Sequence, residues 1–135
     1  LVNNAGIMAC PYAKTKDGFE MQIGCNHLAH FYLMKSLTPL LLKTAETTGE
    51  PSRFVALSSV AAAESNFSKV VPDIYFDDMM FEKTEESYDE GVAYGQSKLA
   101  NYLHAMEAGK RYPADKLISM SVHPGWVQSN LDIHI

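Results

Sequence analysis

The sequence predicts an α/β protein with a parallel β-sheet, and three observations support this fold class. Two β-rich runs, Arg53 to Leu57 and Leu117 to Val122, alternate with two long segments in which apolar residues recur at helical spacing. The chain begins with Leu1-Val2, which has the apolar character of the end of a buried strand. Because strands alternate with helices, we expect parallel βαβ units with right-handed crossovers.

Both predicted helices have recognisable ends. Asp17 is the predicted N-cap of the first helix, which extends to about Glu46. The run SYDE at positions 87–90 has the form of a capping box, with Ser87 as the cap. The second helix is therefore predicted to begin there and to end near Tyr112, since proline follows.

Composition and charge exclude several classes of function. The chain has 135 residues, 47% of them hydrophobic and 20% charged, which is typical of a single globular domain. The net charge is −5 and no basic stripe is present, so no nucleic acid partner is expected. The two cysteines and the His27 and His30 pair have no companion ligands at metal-binding spacing, so no metal is expected and the default compartment is reducing.

A polar or glycine-containing turn follows each of the three predicted strands. These turns are Asn3 to Gly6, Ser58-Ser59, and His123 to Gly125. The carboxyl ends of parallel strands gather at one edge of a sheet, and ligands of open α/β sheets bind at that edge. The sequence therefore predicts a ligand groove lined by these three turns.

Tyr94 and Lys98 lie four residues apart in the second helix. The helical spacing places Lys98 on one face with a set of apolar residues, Tyr94, Leu99, Tyr102, Leu103 and Met106. Either the ammonium extends to solvent from a half-buried helix, or its charge acts on the phenol. At roughly 6 Å and an effective dielectric of about 20, the attraction to a phenolate is about 2.8 kcal/mol, which lowers the tyrosine pKa by roughly two units.

Five motifs, in this order, resemble those of the classical short-chain dehydrogenases/reductases: Asn3-Asn4-Ala5-Gly6, Asn26-His27-Leu28-Ala29-His30-Phe31, Ser58-Ser59, Tyr94-Gly95-Gln96-Ser97-Lys98 and His123-Pro124-Gly125. Their details are most similar to the retinol-dehydrogenase-like branch. The resemblance implies a βαβαβ piece of a doubly wound, parallel-sheet NAD(P)-binding Rossmann fold. Residues 1–135 are then one partial domain, truncated at both ends. The family's Gly-rich phosphate loop is absent from the chain, so we expect a fragment that is inactive by itself.

The resemblance assigns four catalytic residues. Tyr94 is the expected general acid in carbonyl reduction, and Lys98 lowers its pKa and holds the nicotinamide ribose. Ser59 is expected to hydrogen-bond the substrate oxygen. Asn26 is expected to hold a water that relays protons to Lys98. The implied reaction is hydride transfer between a nicotinamide cofactor and a carbonyl or alcohol, such as an apolar aldehyde or ketone, with retinal as one example.

The resemblance also implies the cofactor and its contacts. NADP(H) is the expected cofactor, with NAD as the alternative. Besides Tyr94 and Lys98, the residues expected to bind it are Asn4, Ala5, Gly6, Pro124, Gly125, Val127 and Ser129. The two long helices are expected to form a homodimer or tetramer. The location is expected to be cytoplasmic by default, with a membrane anchor in a missing N-terminal part as the alternative.

Other functions remain open at this point. A protochlorophyllide-reductase-like enzyme shares the Asn-His and Tyr-x-x-x-Lys motifs but typically lacks paired serines, and a sugar-nucleotide epimerase fits the Asn-Asn-Ala-Gly and His-Pro-Gly frame less well. A non-catalytic nucleotide-sensing or scaffolding protein would not require the acid–base pair. The long stretch between Ser59 and Tyr94 contains the acidic, aromatic run 73–81. This run is interpreted either as a contact to an apolar substrate or as a solvated loop.

Overall fold

A computed structural model of the chain describes residues 1–63 and 73–132. Its elements are strand β1 (Val2–Asn3), helix α1 (Met21–Ile23), a π-helix (Gly24–Leu28), helix α2 (Ala29–Thr48), strand β2 (Ser52–Leu57), helix α3 (Glu90–Arg111) and strand β3 (Leu117–Val122). Short 3-10 helices lie at Val60–Ala62, Glu85–Ser87 and Asn130–Asp132. The extended stretch between Ser59 and Tyr94 is thus described only in part, because residues 64–72 lie outside these ranges.

The three strands form a parallel sheet in the order β1-β2-β3. Val2 of β1 lies opposite Val55, and β2 pairs with β3 along its whole length, from Ser52 opposite Leu117 to Leu57 opposite Val122. This confirms the predicted α/β class and the βαβαβ order. Since all three strands are parallel, their carboxyl ends lie at one edge.

The core lies between one face of the sheet and the two long helices. Phe54 and Leu117 are almost completely buried there, together with Met34 of α2 and with Ala105 and Ala108 of α3. The small alanine side chains let α3 lie close to the sheet. Side chains alternate between the two faces of a strand. The opposite face of the sheet accordingly exposes Val2, Met120 and Val122.

The first helix begins at Glu20, so the predicted cap at Asp17 is wrong. The Glu20 carboxylate is fully buried and accepts hydrogen bonds of 2.8 Å from the backbone N–H groups of Gln22 and Ile23. The Tyr88 hydroxyl donates a third bond of 2.8 Å to it. These three donors offset the cost of burying the carboxylate. One polar network thereby joins the start of this helix to the loop before α3.

The cap of α3 also differs from the prediction. Asp89 is the N-cap, and its side chain accepts a 2.8 Å hydrogen bond from the backbone N–H of Val92. Ser87, the predicted cap, lies in the preceding 3-10 helix, where its hydroxyl donates to the Thr84 carbonyl. A tight turn thus uses the serine locally, and the helix begins two residues later than its capping-box pattern indicates.

The face of α3 that the apolar spacing indicates packs inward only in part. Tyr102, Leu103 and Met106 are all exposed by more than two fifths. Tyr94 and Lys98, which share that predicted face, are buried, and so is Asn101. The reason is chemical: the polar side chains find hydrogen-bond partners on the sheet edge and on the π-helix, which the larger apolar side chains cannot use.

The two candidate caps of α3 give a direct test. We expect Asp89→Ala to lower the free energy of unfolding by about 1 kcal/mol, because the Val92 N–H loses its acceptor. Ser87→Ala, the matched control, is expected to stay within about 0.5 kcal/mol of wild type. Urea unfolding followed by circular dichroism measures both changes, and equal destabilisation by the two substitutions would contradict the assignment of Asp89.

None of the helices within residues 1–63 and 73–132 is long and apolar enough to cross a membrane.

Candidate active site

A cavity of about 600 Å³ opens at the carboxyl edge of the sheet. The turns that follow all three strands contribute to its wall, and α3 closes one side. The lining includes ten of the eleven residues singled out in the sequence: Asn4, Ala5, Gly6, Ser59, Tyr94, Lys98, Pro124, Gly125, Val127 and Ser129. The eleventh, Asn26, lies behind the wall. The structure therefore brings the predicted groove residues together.

Tyr94 and Lys98 lie together on the cavity side of α3, and each is only 4% exposed. The Lys98 Nζ atom lies 5.5 Å from the centroid of the Tyr94 ring. The same ammonium donates a 3.3 Å hydrogen bond to the carbonyl of Leu57, the last residue of β2. The lysine is thus buried and held, and it does not extend to solvent.

Burial dominates the electrostatics of this pair. Desolvation raises the pKa of Tyr94 above its ordinary value, and a hydrogen bond with Ser59 acts in the opposite direction. Desolvation lowers the pKa of Lys98 to about 8. The sequence predicted a net lowering of the tyrosine pKa by the lysine charge. The direction is the reverse, because the fold removes water from the phenol and burial disfavours the charged phenolate.

Ser59 lies directly after β2 and begins the 3-10 helix Val60–Ala62. Its Oγ accepts a 3.2 Å hydrogen bond from the backbone N–H of Ala61. A serine hydroxyl has one O–H donor, and this bond leaves that donor available either to the Tyr94 phenol or to a ligand in the cavity. The preceding Ser58 also lines the cavity, and its hydroxyl donates a 2.7 Å bond to the Lys98 carbonyl.

Asn26 lies in the π-helix and its side chain is fully buried. Its Oδ1 accepts from the Ile7 N–H at 2.9 Å, and its Nδ2 donates to the Ile7 carbonyl and to the Ser97 hydroxyl, both at 2.9 Å. The amide thus joins the turn after β1 to α3. A role in holding a water near Lys98 stays a prediction.

Two glycines allow the backbone to line the cavity closely. Gly125 has φ +78°, a left-handed conformation that favours glycine. A Cβ atom on Gly6 would lie 3.2 Å from Asn26 Oδ1 and 3.4 Å from Lys98 Nζ. The turn after β1 therefore lies directly against the lysine and the asparagine.

This close approach predicts that Gly6→Ala destabilises the folded protein. The Asn26 amide is held by three hydrogen bonds and cannot move aside, so we expect a loss of about 1 to 3 kcal/mol of stability from overpacking. Gly109→Ala in α3 is the matched control, since the nearest neighbour of its Cβ would be 3.9 Å away. Alanine is favoured over glycine inside a helix by about 0.5 to 1 kcal/mol. Urea unfolding curves of both variants should therefore shift in opposite directions, and a neutral Gly6→Ala would refute the close contact.

Sequence reasoning missed two groups of residues around the site. One is polar: Ser97 and Asn101 lie one helical turn apart on the buried side of α3. Their spacing around Lys98 is the signal that could have indicated them. The other group is apolar and lines the cavity wall: Met8, Val60, Ala61, Trp126 and Leu131.

The acidic, aromatic run 73–81 packs away from the cavity. Tyr75 and Phe81 join Val92 and Ala93 in a separate apolar cluster on α3. Gln96 fixes the run, accepting from the Tyr75 N–H at 2.9 Å and donating to the Met79 carbonyl at 3.1 Å. Within the described residues, no member of the run lines the cavity. The solvated loop with a few anchors is therefore the interpretation that the contacts favour over a substrate contact.

Comparison with known proteins gives consistent relatives. The chain is 44% identical over its full length to human retinol dehydrogenase 14 and 46% identical over 99% of its length to human retinol dehydrogenase 11. It is 37% identical over 99% of its length to the chloroplastic short-chain dehydrogenase TIC 32 A of Brassica napus. It spans 36%, 37% and 40% of the lengths of these three proteins. No protein-family model matches the chain.

Two solved structures share the fold. The first, titled a putative uncharacterized protein from Mycobacterium Paratuberculosis, superposes with a TM-score of 0.75 at 39% identity, over 99% of this chain and 44% of its own. The second is an NADPH-bound carbonyl reductase from chicken fatty liver, with a TM-score of 0.63 at 24% identity, over 97% of this chain and 47% of its own.

Proposed function

The chain belongs to the short-chain dehydrogenases/reductases, as a homologue of the retinol dehydrogenases, and on that premise we propose that the protein is an NAD(P)-dependent oxidoreductase. It transfers hydride between a nicotinamide cofactor and a carbonyl or alcohol substrate. The observation that carries this proposal is the convergence of Ser59, Tyr94 and Lys98 on one cavity at the carboxyl edge of the sheet. In this proposal the chain supplies the second half of the Rossmann domain.

The cavity has the features that the nicotinamide half of the cofactor needs. Its wall contains the side-chain-free backbone of Gly6 and Gly125, and a buried cation at Lys98. Lys98 would hold the ribose hydroxyls, and the Val127 backbone and Ser129 hydroxyl would bind the carboxamide. When bound, the cofactor supplies the hydride.

Ser59 and Tyr94 would act on the substrate oxygen. Hydride addition to a carbonyl leaves negative charge on oxygen, and two hydroxyl donors aimed at that atom stabilise the charge where it develops. Tyr94 then gives up its proton, and Lys98 stabilises the phenolate that remains. In the oxidation direction, the same phenolate accepts the alcohol proton.

The cavity wall supports an apolar substrate. Met8, Ala61 and Tyr94 form one buried cluster, against which Leu131 packs. Together with Trp126 they would contact a hydrocarbon chain. We propose an apolar aldehyde or ketone, with retinal as the first candidate because relatives are named retinol dehydrogenases. We propose NADPH as the cofactor, since the carbonyl reductase of similar fold binds it.

The exposed apolar side chains of the long helices support the proposed homodimer. Tyr32 and Leu40 of α2 are exposed by 72% and 60%, and Leu103 of α3 by 46%. A second copy would cover them. Sedimentation equilibrium of the full-length protein measures this directly, and a monomer at micromolar concentration would exclude it.

The reaction is tested with the full-length protein, obtained by recovering the complete coding sequence. It is incubated with NADPH carrying deuterium at the nicotinamide C4 and with retinal or smaller apolar aldehydes. The expected result is an alcohol with deuterium on the former carbonyl carbon, and the Tyr94→Phe variant provides the background rate. NADPH binding without deuterium transfer to any carbonyl of the panel would overturn the proposal in favour of a nucleotide-sensing protein.

A further inference from the structure

Asn101 makes hydrogen bonds that none of the roles above requires. It is 2% exposed, and its Nδ2 donates a 3.0 Å hydrogen bond to the Leu57 carbonyl. This is the same carbonyl that accepts from Lys98 Nζ at 3.3 Å. A carbonyl oxygen has two lone pairs, so the two donors together satisfy it.

The other end of the Asn101 amide is fixed as well. Its Oδ1 lies 3.1 Å from Nδ1 of His27. Because Nδ2 donates to Leu57, Oδ1 must accept, and His27 must therefore carry a proton on Nδ1. Burial lowers the pKa of His27, which favours the neutral ring with its single proton at that nitrogen. The direction of each bond in the series from His27 through Asn101 to Leu57 is thereby determined.

The π-helix makes this arrangement possible. Asn26 and His27 are neighbours within it, and they bind Ser97 and Asn101, which lie one turn apart on α3. Lys98 immediately follows Ser97 in the chain. The two side-chain bonds thus hold the segment of α3 that carries the lysine against the π-helix, and the bond to Leu57 holds it against the end of β2.

We propose that Asn101 is a positioning residue for Lys98. By occupying one lone pair of the Leu57 carbonyl, it keeps that acceptor in place at the end of β2. It thereby determines where the ammonium lies relative to the Tyr94 ring and the cavity. The effect on catalysis rests on the proposed oxidoreductase function, whereas the effect on the lysine itself does not.

Two substitutions remove the Nδ2–H donor to the Leu57 carbonyl, one with and one without an added charge. The titratable groups that face Lys98 are Tyr94 on its own helix and His30 on α2, and those that face His27 are His30 and His104. Asn101→Asp adds a carboxylate of the same size to this set, and a nearby negative charge favours a protonated lysine. Asn101→Leu removes the hydrogen bonds without adding charge.

The experiment uses the full-length protein with 13C-labelled lysine and no cofactor. The Lys98 ε-carbon signal, assigned with Lys98→Met, is titrated by NMR in wild type, Asn101→Asp and Asn101→Leu. We expect Asn101→Asp to raise the Lys98 pKa by about one unit, a tenfold change in its protonation equilibrium. Its kcat against pH profile is expected to shift upward by a similar amount. Asn101→Leu is expected to lower kcat about tenfold with little change in the KM for the carbonyl.

Ser119→Ala is the matched control. The Ser119 hydroxyl also binds α3, since it donates a 2.7 Å hydrogen bond to the Ala105 carbonyl, but this bond lies away from the cavity. It should leave the Lys98 titration and the pH profile unchanged. If Lys98 titrates identically in wild type and Asn101→Asp, or if Ser119→Ala shifts it equally, the inference is wrong. The titration requires no turnover. If the protein reduces no carbonyl, the proposed function is wrong, and the titration still tests whether Asn101 positions Lys98. The isosteric Asn101→Asp keeps the test valid if Asn101→Leu fails to fold.

Discussion

Replacing Tyr94 by phenylalanine in the full-length protein is expected to lower kcat for carbonyl reduction by about 10²- to 10⁴-fold, the usual contribution of a positioned acid. The substitution removes the hydroxyl from the cavity wall. It keeps the ring packed on Met8 and Ala61, so the cavity retains its shape. The affinity for NADPH should therefore change little, and single-turnover oxidation of NADPH at 340 nm measures the loss in the chemical step.

Tyr102→Phe is the matched control for this prediction. Tyr102 lies on the same helix but is 44% exposed and does not line the cavity. We expect it to retain wild-type kcat and KM. Similar activities for the two variants would remove Tyr94 from the chemistry. A Tyr94→Phe variant that no longer binds NADPH would assign the residue to cofactor binding instead.

The strand ends were predictable from sequence because they depend on a simple rule. A predicted strand that ends in a polar or glycine-containing turn indicates where a parallel strand meets the ligand edge, and three such strand ends were enough to predict that Ser59, Gly6 and Gly125 line one cavity. The alternation of strands and helices then predicted that the strands are parallel. This reasoning needed no knowledge of side-chain contacts.

The details that were missed depend on contacts between distant segments. The spacing of apolar residues along α3 indicated an inward face with Leu103 and Met106, yet both are exposed. The buried side carries Lys98, which the prediction placed on that face, and Asn101, which it did not; both bind a backbone carbonyl of β2. A backbone acceptor has no signature in the sequence. The π-helix was missed for a related reason, since its extra residue per turn is stabilised by the partners of Asn26 and His27 on another helix.

The burial of Lys98 predicts that this lysine lowers the stability of the folded protein. Its pKa of about 8 lies below the ordinary lysine value of 10.5. Folding therefore disfavours the ammonium by about 3 kcal/mol at pH 7. Methionine has a similar length and no charge. After the loss of the bond to Leu57, we expect Lys98→Met to gain about 1 to 3 kcal/mol of stability and to lose catalysis.

The sign of this effect predicts its pH dependence. Below pH 8 the lysine is protonated in both the folded and the unfolded chain, so the full cost is present. Between pH 8 and 10.5 the unfolded chain binds the proton that the folded chain has released, and wild-type stability rises with pH. The advantage of Lys98→Met should therefore be largest near neutral pH and shrink toward pH 10.5.

Urea unfolding of the full-length protein at several pH values, without cofactor, measures this advantage. Cofactor must be absent because a bound ligand stabilises the wild type by mass action. Lys35→Met on the exposed side of α2 is the control, and it should stay within about 0.5 kcal/mol of wild type. A Lys98→Met variant less stable than wild type at pH 7 would mean that the bond to Leu57 outweighs desolvation. The lysine would then stabilise the fold as well as the proposed chemistry, and no trade-off between stability and function would exist at this position.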